Sequence, residues 1–277
     1  WNHCTPVFCD IEPTRCNLDP DKLEELITPN TSCILPVHVY GNPCDVHRLQ
    51  EIAARHGLKL FYDAAHAFGV ELHGKSVLNF GDLSMLSFHA TKVFNTVEGG
   101  ALITNDPQLK QRIDYLKNFG FANETSVIAP GINGKMNEVQ AAFGMLQLKH
   151  IDYAIEQRKA IDRRYRESLH DVSGITVLPE LSDSKQNYGY FPILVGSEYA
   201  LKRDELYQRL HEAGIHARRY FYPLISDMPM YRGLPSATPQ NLPNAKEVAE
   251  QILCLPIYPD LAEDDQKRVI QIVRGSI

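Results

Sequence analysis

Between residues 7 and about 105, short runs rich in Val, Ile, Leu, Phe and Tyr alternate with segments of helical periodicity, and few architectures accept that order. Strands separated by helices run parallel in one sheet and carry the helices on its faces, whereas antiparallel neighbours need only a tight turn between them. Val7 to Cys9, Cys33 to Val39, Leu58 to Tyr62, Leu83 to Phe88 and Gly100 to Thr104 are expected as strands. Asp19 is placed to cap a helix over Asp21 to Ile27. Asp45 is placed to cap a second over Val46 to His56, which Gly57 closes. Such an α/β layer leaves the carboxyl ends of its strands open to ligands.

Further on, Pro107 starts a helix reaching about Asn118, a loop rich in Gly, Ala and Asn covers residues 120 to 134, and Lys135 to Leu148 reads as helical. A long polar helix from about Asp152 to Leu169 is taken to hold the domain boundary. Beyond it, Ile175 to Leu178, Tyr188 to Val195 and Ile215 to Arg218 are expected as strands, and Leu201 to Ala213, residues 245 to 253 and residues 263 to 274 as helices. Strands and helices mixed without strict alternation suggest a smaller α+β domain. The proline-rich residues 223 to 243 read as a surface loop. The expected organisation is a large, mainly parallel α/β domain over residues 1–155 and a small α+β domain over residues 156–277.

Composition removes several function classes. A formal charge of -6 and a pI near 6.0 speak against nucleic-acid binding by bulk electrostatics, so an anionic ligand would need local positive groups. No apolar run approaches the roughly 20 residues of a membrane span, and no charged start leads into an apolar stretch, so a soluble, cytoplasmic protein is expected. Cys4, Cys9, Cys16, Cys33, Cys44 and Cys254 include no CxxC pair and read as reduced structural thiols; the histidines show no HExxH spacing, and no catalytic metal is expected. The chain opens at Trp1 without an initiating Met, which suggests an N-terminal truncation.

Chemistry concentrates at two strand ends. Leu83 to Phe88 runs into His89-Ala90-Thr91-Lys92, placing a lysine at the mouth of the sheet. A buried lysine has a lowered pKa and becomes a nucleophile toward aldehydes, whereas a loop lysine is ordinarily solvated. Asp63 ends the preceding strand and is followed by Ala64, Ala65 and His66; its carboxylate could keep a pyridine nitrogen protonated, or could simply cap the next segment. Ser87, five residues before Lys92, could hydrogen-bond a phosphate or be a common loop serine. Gly99 and Gly100 permit a tight return beside a ligand, or an ordinary turn. Arg218, Arg219, Tyr220 and Tyr222 form a basic and aromatic cluster that suits a diphosphate or a base, and equally a solvated strand end. Arg219 and Tyr220 are the substrate-binding candidates.

The stretches TPVFCDIEP, ILPVHVYGNPCD, FYDAAHAFG, SFHATKVFNTVEGGALIT and GINGKMNEVQAA span residues 5 to about 142. In order and spacing the chain resembles the sugar-nucleotide aminotransferases of the DegT/DnrJ/EryC1/StrS family, which are fold-type I pyridoxal-phosphate enzymes. RRYFYPL and LCLPIYPDL are similar to its later signposts. The resemblance implies pyridoxal 5'-phosphate as cofactor, with Lys92 as Schiff-base lysine and proton shuttle, Asp63 as pyridinium partner, His66 near the 3-oxygen and Ser87 at the phosphate. Asn133 resembles the asparagine that reaches a phosphate across a dimer interface, which implies a homodimer with a shared active site. Family members carry a further upstream sheet portion with a Gly-Thr phosphate contact and a stacking aromatic residue, and this chain begins after both. The wording of SFHATKVFNTVEGG is similar to members that aminate C4 of nucleotide-linked 4-keto-6-deoxyhexoses with glutamate. That implies a dTDP-4-amino-4,6-dideoxyhexose for surface polysaccharides such as lipopolysaccharide O-antigen. C3-keto-sugar and cyclitol aminotransferases, and a non-catalytic homologue serving as an interaction subunit, are the alternatives. The family's dehydratase branch replaces the lysine with histidine, so Lys92 speaks against it.

Overall fold

The structure, a computed structural model, describes residues 3–275; Trp1, on which the expected truncation turns, lies outside them. The first helix, α1 (Pro20–Leu23), is a single turn whose cap Asp19 accepts from the Asp21 N–H, and the expected helix to Ile27 continues only as a 3-10 turn. Strand β1 is Cys33–Ile34, and helix α2 is Val46–His56. Asp45 caps α2 by accepting from the Arg48 N–H, and Gly57 ends it at φ 65°, a left-handed conformation that costs glycine little. The buried face of α2, Val46, Leu49, Ile52 and Ala53, packs with Ile34, Leu60 and Tyr62 of the sheet.

Strands β2 (Lys59–Asp63), β3 (Glu71–Leu72), β4 (Lys75–Ser76), β5 (Leu83–Ser87) and β6 (Gly100–Ile103) follow. The main sheet has the order β1-β2-β5-β6, with β1, β2 and β5 parallel and β6 antiparallel to β5. Three expectations are corrected here. Val7 to Cys9 forms no strand, and among the described residues the one pairing near it is the isolated bridge between Ile11 and Leu18. The expected Cys33 to Val39 strand shrinks to two residues plus a bridge from Val37 to Asp63, because Pro36 has no N–H to give the ladder. Between β2 and β5 the crossover carries the β3–β4 hairpin and a 3-10 turn over Val77–Asn79 instead of an α-helix.

The chain continues through α3 (Pro107–Leu116), α4 (Glu138–Leu148) and α5 (Ile151–Leu169) to β7 (Ile175–Val177), β8 (Ser184–Lys185) and β9 (Phe191–Val195). It ends with α6 (Arg203–Glu212), α7 (Pro243–Gln251), β10 (Ile252–Leu255) and α8 (Glu263–Val273). A second, antiparallel sheet has the order β10-β9-β7. Its core joins Ile161, Tyr165 and Leu169 of α5 with Phe191 and Ile193 of β9, Leu206 and Leu210 of α6, and Val269 and Val273 of α8. The expected strand over Ile215 to Arg218 reduces to one bridge between Arg218 and Cys254, and residues 252 and 253, expected in a helix, begin β10.

Two contacts tie early and late segments together. Strand β8 pairs with β3. The carboxylate of Asp10 is fully buried and accepts from the Lys22 ammonium at 2.8 Å, from the Asn244 N–H at 3.2 Å and from the Ala245 N–H at 2.8 Å. The N-cap of α7, Leu242, offers no side-chain acceptor, so Asp10 serves as that helix's cap from 235 residues away. Helices α3 and α4 depart from inward packing: α3 has no buried residue, and in α4 only Gly144 is buried, while Val139, Met145, Leu146 and Leu148 are exposed. No helix among the described residues is long and apolar enough to cross a membrane.

Candidate active site

The parallel register of β2 on β5 pairs Asp63 with Met85, so Asp63 and Ser87 both stand at carboxyl ends of neighbouring strands. After Ser87 the chain leaves the sheet as a loop closed at its base, where the Phe88 N–H donates to the Gly99 carbonyl and the Thr96 N–H to the Phe88 carbonyl. Phe94 is buried in that loop, with its ring 4.5 Å from Phe68 and 4.9 Å from Phe88. A β-carbon on Gly99 would lie 2.4 Å from the Thr96 hydroxyl, at φ 151°, so only glycine closes the loop. Lys92 sits in the turn within, its N–H bonded to the His89 carbonyl.

The Lys92 ammonium donates to the Tyr190 hydroxyl at 3.3 Å. Burial lowers the Lys92 pKa and the Asp63 carboxylate opposes that shift, which leaves an amine closer to its neutral form than a surface lysine. His66 lies beside it. Burial first, and the Lys92 charge second, hold its pKa at about 3, so the imidazole is neutral. His66 Nδ1 accepts from the Tyr40 N–H at 3.2 Å, which assigns the ring proton to Nε2. The ring stacks on Phe221 with centroids 5.3 Å apart, and Tyr190 lies 4.8 Å away. Asp63 uses one oxygen to accept from the Ala65 N–H at 2.9 Å, and its other oxygen takes no hydrogen bond among the described residues. Both sequence readings of Asp63, cap and free acid, are thus available to one carboxylate. The Ser87 hydroxyl accepts weakly from the His89 N–H at 3.3 Å.

The structure brings together Lys92, Asp63 and His66, with Ser87 at the neighbouring strand end. Asn133 stands apart: it is exposed, bridges Asn118, and hydrogen-bonds none of these four among the described residues. Arg219 is committed elsewhere, held by Asp204 at 2.9 Å with its guanidinium 4.2 Å over the Tyr207 ring. Tyr220 does reach the site region, packing on Tyr190 with centroids 6.0 Å apart and accepting at its carbonyl from the Tyr40 hydroxyl.

A cavity of about 550 Å³ opens beside the Lys92 loop, lined by Ala90, Thr91, Tyr190 and Tyr220 and by Arg158 and Arg218. Arg158 is buried, gives Nη1 to the Ile257 carbonyl at 2.7 Å, and has its pKa lowered to about 10 by that burial, with Tyr190 opposing; its Nε has no partner among the described residues. Tyr190, Arg158 and Tyr40 escape sequence reasoning. Tyr190 reads as one more strand residue and Arg158 as one more charge on a polar helix, and only tertiary contact separates them from their neighbours.

The model of the DegT/DnrJ/EryC1/StrS aminotransferase family matches residues 1–274. The chain is 50% identical over 278 residues to a dTDP-4-amino-4,6-dideoxy-D-glucose transaminase of Escherichia coli, covering 100% of this chain and 75% of the relative. It is 48% identical to the transaminase of the same description from Shigella dysenteriae, covering 99% of this chain and 74% of the relative. Among solved structures, DesI in the presence of its TDP-sugar product aligns with a TM-score of 0.92 at 37% identity, covering 98% of this chain and 68% of that one. DesV of S. venezuelae, in complex with a ketimine intermediate, aligns with a TM-score of 0.89 at 33% identity, covering 98% and 72%.

Proposed function

The chain belongs to the DegT/DnrJ/EryC1/StrS aminotransferase family, and from that premise we propose that it transfers an amino group from glutamate to the 4-keto carbon of a dTDP-linked 4-keto-6-deoxyhexose, with pyridoxal 5'-phosphate held at Lys92. The product would be a 4-amino-4,6-dideoxyhexose for surface polysaccharide synthesis in the cytoplasm. The single observation that carries the reading is the lysine amine, half-buried and shifted toward neutrality, in the field of a strand-end carboxylate with one free oxygen.

The donor set fits the cofactor. The free oxygen of Asp63 can hold a protonated ring nitrogen, Nε2–H of the neutral His66 can donate to a ring oxygen, and the Ser87 hydroxyl, engaged by one long hydrogen bond, can meet a phosphate. When bound, the cofactor supplies an aldehyde that condenses with amines and a ring that accepts the electron pair left at the substrate carbon. Lys92 would hold the cofactor between turnovers, carry the proton from the alpha carbon of glutamate to the cofactor's aldehyde carbon, and in the second half-reaction carry a proton from that carbon to the sugar carbon. Asp63 keeps the ring nitrogen charged throughout. Glutamate leaves as 2-oxoglutarate before the keto-sugar binds, so ping-pong kinetics follow. Arg158 and Arg218 on the cavity wall offer positive groups to the anionic ends of the substrates.

The same reading makes the working unit a homodimer with a shared site. The exposed Val139, Met145, Leu146 and Leu148 leave apolar side chains of α4 open to a second copy, and the exposed Asn133 would reach the partner's cofactor phosphate. Residues 1–155 form the cofactor-binding part and residues 156–277 the small part, linked by α5. The test is to incubate the full-length protein with pyridoxal phosphate, glutamate and dTDP-4-keto-6-deoxyglucose and to locate the new nitrogen by NMR. Nitrogen at C4 with equimolar 2-oxoglutarate supports the reading; nitrogen at C3, or no transfer, contradicts it.

A further inference from the structure

A lysine that must leave the cofactor, carry a proton and return has four freely rotating bonds to control, and about 2 kcal/mol of rotamer entropy works against any one position. We propose that Tyr190 is the positioning residue for Lys92, its hydroxyl holding Nζ at the sheet mouth whenever the lysine is not bonded to the cofactor. This rests on the reading of Lys92 as the cofactor lysine. The contact is direct: Nζ lies 3.3 Å from the hydroxyl and 6.0 Å from the ring centroid, and this is the one hydrogen bond the Lys92 side chain makes among the described residues.

Tyr190 is itself fixed against the elements that carry the rest of the site. Asn187, fully buried, donates to the His66 carbonyl at 2.8 Å and the Phe68 carbonyl at 2.9 Å, and accepts from the Gly189 N–H at 3.0 Å. The segment entering β9 is therefore stitched to the segment leaving β2. A β-carbon on Gly189 would lie 3.0 Å from the side chain of Val93, the residue after Lys92, so the glycine lets Tyr190 approach the Lys92 loop. The ring is boxed by His66, Tyr40 and Tyr220 at 4.8, 5.7 and 6.0 Å.

The groups facing the amine are the Asp63 carboxylate, the neutral His66 ring and this hydroxyl. Burial raises the Tyr190 pKa, so the phenol keeps its proton. A neutral phenol accepts from an ammonium and donates to an amine, so one residue holds Lys92 in both of its protonation states. Neither Phe nor an aliphatic side chain offers that. Because the phenol's hydrogen bond to the charged ammonium is stronger than its bond to the neutral amine, removing the hydroxyl should lower the Lys92 pKa further.

The test uses Tyr190→Phe in the full-length protein. Without cofactor, the pH dependence of Lys92 carbamylation by cyanate, read by peptide mass spectrometry, should shift its midpoint down by roughly 0.5 to 1 unit. With pyridoxal phosphate loaded, the single-turnover rate with glutamate should fall about tenfold at saturation, with little change in the glutamate concentration giving half the maximal rate. An unchanged cyanate midpoint, or an unchanged saturating rate, overturns the proposal. A purely structural role would instead lower the melting temperature and leave the midpoint in place. The cyanate arm needs no cofactor, so it decides the contact even if the wild-type protein forms no Lys92-dependent visible band, a result that would count against the aminotransferase reading alone.

Discussion

Replacing Asp10 with Ala should destabilise the protein far more than an ordinary carboxylate substitution would. The buried carboxylate caps α7 through the N–H groups of Asn244 and Ala245 at 3.2 and 2.8 Å and pairs with Lys22 at 2.8 Å. Losing a cap costs about 1 kcal/mol, and a hydrogen bond to a charged group about 1.5 to 3, so the sum is roughly 2.5 to 4 kcal/mol. Asp10→Asn keeps one acceptor for the helix but not the charge, and should lose roughly half of that. In a chain of this size each kcal/mol moves the melting temperature by roughly 2 to 4 °C, so Asp10→Ala should melt about 5 to 16 °C lower. The pH dependence has a definite sign. Burial opposes ionisation of Asp10, but the hydrogen bonds from Lys22, Ala245 and Asn244 outweigh it and hold the pKa below the ordinary value. A depressed folded-state pKa contributes stability that is present above the unfolded value of about 3.9 and is lost as pH falls through the folded value. Urea denaturation of wild type and Asp10→Ala should therefore show a constant gap from pH 5 to 8 that narrows below about pH 4. A gap under 1 kcal/mol at pH 7, or one that widens on acidification, would refute the reasoning.

Asp63→Asn should weaken pyridoxal phosphate binding and slow proton abstraction from glutamate by at least about tenfold, because a neutral amide cannot hold the pyridinium charge; equal affinity by fluorescence titration would count against that role. Val139→Glu, at a position of α4 that is 81% exposed, should convert the proposed dimer to monomer in sedimentation velocity and abolish turnover; a dimer unaltered by the change would place the interface elsewhere. Gly81→Ala should cost at least about 2 kcal/mol, since its φ of 73° is left-handed and the new carbon would sit 2.7 Å from the Leu60 carbonyl; an unchanged urea midpoint would contradict this.

Elements whose ends carry their own chemistry were legible. Asp45 and Gly57 delimit α2, and Asp63 and Ser87 end β2 and β5 close to where the apolar runs stop. Elements defined by distant partners were not. Phe8 gives its N–H to the Ser236 hydroxyl at 3.1 Å, so the β-rich run around it never joins a ladder. Ile252 to Leu255 is a wholly buried apolar run following a helix, which periodicity alone cannot separate from more helix. The hairpin of β3 and β4 is too short to show alternation. Lys92, Asp63, His66 and Ser87, which the structure brings close, stand within one stretch of chain, whereas Tyr190 meets Lys92 across 98 residues and carries no local signal.

The most direct test of the central claim is the visible spectrum of the full-length protein with pyridoxal phosphate, recorded before and after glutamate, alongside Lys92→Ala. The account predicts a band from the lysine-bound cofactor that requires Lys92, bleaches when glutamate is added, and is missing in a variant whose far-ultraviolet circular dichroism is unchanged. A band that persists in Lys92→Ala, or one in the wild type that glutamate does not bleach, would contradict it.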